Sequence, residues 1–468
     1  MRPQFCMTIQ LPALTIGGLL LVAPLIFAAD TAAQTSTSTL KRLYNFKPYP
    51  DGTNPYAGVV IGSGGVLYGT TYYGGTGSCP PLPGCGTVFS LTPPASPGGF
   101  WTETVLHNFT GTDGANPFAG LVIGSGGVLY GTTQGTDQSG GSLCEPSGSC
   151  GTVFSLTPPS SPGGAWTETV LYSFQGGLVG DGQNPLASVE IGKGGVLYGT
   201  TYSGGIPPAG AGTVFSLTPP ASPGGAWTET VLYSFKGGLI GDGSVPSGVV
   251  IGSGGVLYGT TYYGGSTSAG YGTVFSLTPP ASPGGAWTET VLHNFTGCGF
   301  FCGSDGANPQ AGVVIGSGGV LYGSTQYGGY CNSGSSYGRG CGTVFSLTPP
   351  VSPGGAWTEA DLYKFADGTV GASDGTNPYA GVVIGSGGVL FGTTQYGGSA
   401  GYGTAFSLTP PTSPGGAWTE SILHNFTYGT NDGLIPQGGV VISRTGVLYG
   451  TTNLGGTVGY GTVYSLRP

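Results

Sequence analysis

Charge is what this sequence has least of. Ten Lys and Arg stand against nineteen Asp and Glu in 468 residues, a formal net charge of −9 with a pI near 4.6. Phosphate backbones are held by clustered cations, so the composition excludes nucleic acid as a partner. The same scarcity argues against polybasic attachment to anionic lipid. Histidine occurs only at His107, His293 and His424, and arginine only at Arg2, Arg42, Arg339, Arg444 and Arg467. The supply of converging acids, bases and metal ligands that an enzyme needs is therefore thin. Beyond residue 33 there is no amphipathic helical period, and no apolar run is long enough to span a bilayer as a helix.

What the chain has in abundance is glycine and proline, together 136 residues. Without a period that composition would indicate disorder. Here both residues fall at fixed places and read as turns. Between them lie short runs of Val, Leu, Ile, Tyr, Phe and Thr, which suit a pleated, half-buried surface. Gly-Val-Leu-Tyr-Gly-Thr-Thr or a close variant recurs seven times, with its Val at Val66, Val128, Val196, Val256, Val320, Val389 and Val447, in units of 58 to 69 residues. Each unit contains four short runs (A to D), the pattern of a propeller blade. In the second unit these are 119–124, 128–133, 151–156 and 166–174.

The ends of the chain are offset by one strand. The last residues, 461–467, match run C, and the seventh unit has no run D after it. Residues 39–46, Thr-Leu-Lys-Arg-Leu-Tyr-Asn-Phe, match a run D. The sequence thus predicts an all-β, seven-bladed propeller of four-stranded blades over 34–468, a single domain in which strand 39–46 completes the last blade and removes the open edge. A linear β-solenoid is the alternative, and it gives no reason for the offset. Six units open run D with Trp (Trp101, Trp166, Trp227, Trp287, Trp357, Trp418) followed by Thr-Glu, whereas the N-terminal run has Ser38 at the Trp position. These Trp read as rim packing anchors, and the Glu as a solvated rim.

Residues 1–33 differ from the rest: Arg2 precedes an apolar stretch from Leu11 to Ala29, then Thr31-Ala32-Ala33. This reads as a secretory signal peptide, with an uncleaved anchor as the alternative. Apart from Cys6, the cysteines form four local pairs: Cys79/Cys85, Cys144/Cys150, Cys298/Cys302 and Cys331/Cys341. In an exported chain disulfides are the leading reading. Zinc would need four converging ligands, and no His lies near the pairs.

The A–B turn and the C–D arm keep constant lengths, whereas the B–C loop runs from 8 to 17 residues and the D–A connection from 3 to 9. In a four-stranded blade the two variable connections emerge on one face, which also carries every cysteine pair. Insertions confined to one face mark it as the candidate binding face, with Phe300, Phe301, Tyr330 and Tyr337 as candidate contacts in or beside the cysteine-bounded loops. Unconstrained drift of those loops is the competing reading.

Asp-Gly-x-x-Pro begins at Asp51, Asp113, Asp181, Asp242, Asp305, Asp374 and Asp432. It reads as a turn entering strand A, with a ring of carboxylates at the channel mouth as the functional alternative. The three His exchange with Tyr44, Tyr172, Tyr233 and Tyr363 at one run-D position, so they read as packing and not as a metal site. Asn108, Asn294 and Asn425 match a glycosylation acceptor and also simply end run D. Glu190 breaks the pattern, standing where other units have Val60, Val250 or Val383, with Lys193 in the turn that follows. It is either half of an ion pair with Lys193 or a lone acid near the axis, the single candidate for catalysis.

With Gly-Val-Leu-Tyr-Gly-Thr-Thr, Gly-Gly and Gly-Thr-Val-Phe-Ser-Leu in each unit, residues 40–468 resemble the GloVer tandem-repeat proteins, exported bacterial repeat proteins with varied C-terminal anchors. The resemblance implies export and a propeller-like repeat fold, and it carries no activity and no catalytic residue. It departs at the C-terminus, where Pro468 follows strand C without a sorting tail. Residues and resemblance together predict an exported monomer that binds an extracellular protein or glycan, with no cofactor or metal. A carbohydrate-active enzyme and a structural matrix protein are the alternatives.

Overall fold

A computed structural model describes residues 38–468, apart from 81–83, 137–149, 162, 177–179, 207–209, 223, 238–240, 266–269, 283, 298–304, 330–340, 353, 366–373, 414 and 431. The expected signal peptide, Cys144, Cys298, Cys302, Cys331, Phe300, Phe301, Tyr330 and Tyr337 lie outside the described residues.

Seven four-stranded antiparallel sheets form the blades of a β-propeller. Blade 1 is Val60–Ile61 (A), Leu67–Thr71 (B), Thr87–Thr92 (C) and Thr102–Asn108 (D). The D strands of blades 2 to 6 are Thr167–Ser173, Thr228–Ser234, Thr288–Asn294, Thr358–Lys364 and Thr419–Asn425. In blade 7 the D strand is Thr39–Asn45, which pairs antiparallel with Thr462–Arg467. The terminal strand therefore closes the ring as the offset predicts.

Each blade follows from its sequence. The A–B turn is a single tight turn, Ser63–Gly65 in blade 1, with Gly64 at φ 67°, where a side chain would be strained. Strand C is buried along its length because sheet neighbours flank it and adjacent blades cover both faces. The Gly within strand B makes room for the strand-C aromatic: a Cβ on Gly131 would lie 2.5 Å from Phe154 Cζ. Strand A is shorter than expected, two residues in six blades, because the segment around the axial Pro leaves sheet pairing; only in blade 4 does it extend over Ser244–Ile251.

Among the described residues the core forms seven clusters, one at each blade junction. The Phe that ends strand D meets the strand-C aromatic of the next blade edge to face, as in Phe109–Phe154 at 5.1 Å and Phe46–Phe89 at 5.0 Å. The rim Trp reaches back to the strand-B Tyr of the preceding blade, as in Trp166–Tyr68 at 5.8 Å and Trp101–Tyr449 at 6.2 Å. The junction of blades 6 and 7 has no Trp, and there the strand-B Tyr is replaced by Phe391, buried beside Leu40. A second latch runs near the axis: Thr70 Oγ1 donates to Ala119 O at 2.9 Å, and Thr451 Oγ1 donates to Ala57 O at 2.7 Å across the ring closure.

Candidate ligand-binding face

The Asp-Gly-x-Asn-Pro segment brings the chain from the rim to the axis. Asp51 is buried and holds the turn: it accepts from Gly52 N at 2.7 Å, Lys47 N at 3.1 Å and Tyr44 Oη at 2.8 Å. The Asn before Pro sits in the left-handed region (Asn54 φ 57°, Asn116 φ 57°), which Asn tolerates better than most residues. Its side chain bridges to the preceding blade, Asn116 Nδ2 donating to Tyr72 O at 3.0 Å and Asn184 Nδ2 to Gln134 O at 3.0 Å. In all seven blades the residue after this Pro lines a central cavity.

The cavity measures about 410 Å³, within the roughly 300–1,000 Å³ of small-molecule pockets. Its walls are mainly the Gly, Ala and Val residues that lead into the A strands and begin them. At the end facing the B–C and D–A loops, Tyr56, Phe118, Leu186, Gln310, Tyr379 and Gln437 stand after their prolines, with Ser247 in blade 4. Tyr56 stacks on Phe118 at 5.1 Å and meets Tyr72 edge-on at 5.0 Å. Around the same mouth, Gln310 Nε2 of blade 5 donates to Gln326 Oε1 at 3.2 Å, and in blade 7, beside blade 1, Asn453 Nδ2 donates to Gln437 Oε1 at 2.6 Å. Burial, with Tyr56, Tyr327 and Tyr202 nearby, pushes the Tyr379 phenol up to about 12, so it stays a neutral donor. The mouth thus combines flat aromatic surface with neutral hydrogen-bonding groups.

Glu190 lines the same cavity as the one acidic side chain among its described lining residues. Burial raises its pKa. Among the described residues no ion pair joins it to Lys193, unlike the ion-pair expectation.

The family profile of the Gloeobacter/Verrucomicrobia repeat matches residues 135–350 and 331–468, more than half of the sequence. The chain belongs to the Gloeobacter/Verrucomicrobia repeat family. No curated protein matches it in sequence. Among solved structures, a fungal alcohol oxidase of the AA5 family in complex with copper is similar at 13% identity and TM-score 0.50, with 92% of this chain and 77% of that one covered. A polysaccharide lyase, an ulvan lyase, is similar at 10% identity and TM-score 0.45, covering 90% and 95%. The extracellular domain of a one component system from B. thetaiotaomicron is similar at 10% identity and TM-score 0.45; the match covers 90% of this chain and 39% of that one. Identities this low show the propeller fold alone.

In this Gloeobacter/Verrucomicrobia repeat protein Cys79–Cys85 is a disulfide, and Cys150 and Cys341 are also disulfide-bonded. The expected partners of the latter two lie outside the described residues. The Asp residues form no ring at the channel mouth; their bonds to strand D place them toward the rim. The His occupy the Tyr position as expected, each within 3.0 Å of its Asp. Asn108 and Asn425 cap the B–C loop, accepting from Thr76 N at 3.0 Å and Ser399 N at 2.9 Å. The channel-mouth ring was not anticipated. Its signal is the residue after Pro, which varies within an otherwise fixed motif.

The Glu of Trp-Thr-Glu corrects the sequence reading. Strand alternation turns it inward, and Oε1 of Glu103, Glu168, Glu229, Glu289, Glu359 and Glu420 is buried without a hydrogen-bond partner. Burial first, then the Asp at the junction (Asp51, Asp181, Asp242 or Asp374), pushes Glu103, Glu229, Glu289 and Glu420 up to about 7 from 4.5. A folded value above the unfolded one means the folded state holds more protons between the two. These groups contribute stability fully below the unfolded value, and it is lost as pH rises through about 7. The melting temperature is therefore expected to be higher at pH ~5 than at pH ~8. Replacing Glu103, Glu229, Glu289 and Glu420 with Gln should flatten that slope and raise stability at the alkaline end. A pH-independent melting temperature in the wild type would contradict this.

Proposed function

We propose that this is an exported binding module that holds a glycan at the channel mouth on the face of the variable loops. The observation that carries this reading is the mixed rim: Tyr56, Phe118 and Tyr379 offer ring faces, and Gln310 and Gln437 offer amides, around one cavity. Aromatic faces suit the C–H surface of a sugar ring, and neutral donors and acceptors suit its hydroxyls. The net charge of −9 favours a neutral or cationic glycan over a sulfated one. Disulfides in the B–C loops reduce the entropy lost on binding.

A glycan array probed with the purified protein tests this. Tyr56→Ala and Tyr379→Ala should each weaken the best ligand about tenfold, roughly 1.4 kcal/mol. Phe100→Ala, at an exposed residue of the C–D arm on the other face, should leave affinity unchanged. Absence of any bound glycan, or equal affinity in all three variants, would remove the reading.

One observation favours a second reading, an enzyme acting on the same ligand: the unpaired acid Glu190 inside the cavity. Turnover of the bound glycan that disappears in Glu190→Gln would establish it.

A further inference from the structure

The seven blade junctions are not chemically equal. At each one the Asp of the Asp-Gly turn bonds a side chain of the preceding strand D. At four it is Tyr, as in Tyr44 Oη–Asp51 Oδ2 at 2.8 Å. At three it is His: His107–Asp113 at 3.0 Å, His293–Asp305 at 2.8 Å and His424–Asp432 at 2.9 Å. The next strand D then contributes its Glu, except at the last junction. There Leu40 faces Leu466 in the register where Glu168 faces Leu156.

Two junctions therefore hold a complete His–Asp–Glu set. His107, Asp113 and Glu168 each offer one ligand atom, all within 4.8 Å of one another, and His293, Asp305 and Glu359 do the same. The sets are pre-arranged. Thr110 N and Oγ1 hold Asp113 Oδ1 at 2.8 and 2.9 Å, leaving Oδ2 toward the imidazole. Thr296 N holds Asp305 Oδ1 at 3.0 Å in the same way. Edge-on contact with Phe109 and Phe295, both at 4.9 Å, orients the two imidazoles. Glu168 Oε1 and Glu359 Oε1 are buried with no hydrogen-bond partner. The same oxygen is orphaned at the Tyr junctions, but a phenol that donates to Asp supplies no nitrogen ligand there.

We propose that the His107–Asp113–Glu168 and His293–Asp305–Glu359 clusters each bind a first-row divalent cation, zinc being the best match. One imidazole with two carboxylates is a zinc donor set, and a three-ligand site leaves a position for water. Each ion bridges two blades, so its role is to clamp the ring at junctions 1–2 and 4–5. The proposal is independent of the glycan reading.

The test uses the mature chain, stripped with EDTA and titrated with zinc chloride near neutral pH. Bound zinc is counted by elemental analysis and binding is followed by calorimetry. Two equivalents per chain are expected, with a rise in melting temperature. His107→Tyr and His293→Tyr should each leave one equivalent, and the double variant none. Tyr is the native residue at this position in four blades, so these variants preserve the junction. Leu40→Glu, which completes the set around His424 and Asp432, is expected to add a third equivalent. No zinc bound by the wild type, or two equivalents retained in the double variant, would overturn the proposal.

Discussion

Removal of residues 38–46 is expected to abolish the folded ring. Strand Thr39–Asn45 supplies the whole fourth strand of blade 7, and Phe46 is fully buried in the cluster between blades 7 and 1. Truncating one such Phe costs about 3–5 kcal/mol, and the lost ladder adds to this. Together they are comparable with the roughly 5–15 kcal/mol that holds a domain folded. The deletion also exposes the edge of Thr462–Arg467, a template for association with other chains. The truncated protein should elute as aggregate and show no cooperative melt. Moving the same residues to follow Pro468 should restore the cooperative melt, because the strand is needed and its covalent position is not. A native-like melt of the truncated chain would show that the closure contributes little.

The second large effect is a gain. Five blades place Asn before the axial Pro, but blades 4 and 7 place Val245 at φ 59° and Ile435 at φ 56°. A β-branched residue in the left-handed region costs about 1–2 kcal/mol. Neither side chain can donate the bond to the preceding blade that Asn184 and Asn377 make at 3.0 Å. A hydrogen bond of this kind contributes about 1 kcal/mol. Val245→Asn and Ile435→Asn are each expected to stabilise the protein by about 2 kcal/mol, additively because the two sites are in separate blades. Chemical denaturation reads this directly. A neutral or destabilising result would mean the apolar contacts of Val245 and Ile435 outweigh both terms.

The parts of this architecture that depend on one unit at a time were legible in the sequence. Strand positions and the tight A–B turn follow from the repeat, and the displaced terminal strand follows from the offset of the chain ends. What was not legible lies between units. The Glu after Trp-Thr reads as solvated in isolation, and only the neighbouring blade buries its Oε1. The exchange of Tyr for Phe391 looks like drift until it is seen to accompany Ser38 in place of Trp on the facing strand. The channel-mouth residues escaped because Asp-Gly and Pro on either side drew the motif toward a turn reading. That reading is correct for Asp51 and incomplete for Tyr56. Candidates chosen for aromatic content in the cysteine loops, Phe300, Phe301, Tyr330 and Tyr337, lie outside the described residues, whereas the ring at the axis is built from seven blades at once.

The repeated residues build the ring, and the residue that changes from blade to blade lines the cavity at which the proposed glycan would sit. Hydrogen–deuterium exchange with and without a glycan identified on the array tests this most directly. Protection is predicted in peptides spanning 52–58, 114–120 and 375–381, which carry Tyr56, Phe118 and Tyr379 to the mouth. The A–B turns such as Ser63–Gly65, on the opposite face, should be unchanged. Protection confined to the A–B turns and C–D arms, with none at the mouth, would contradict the account.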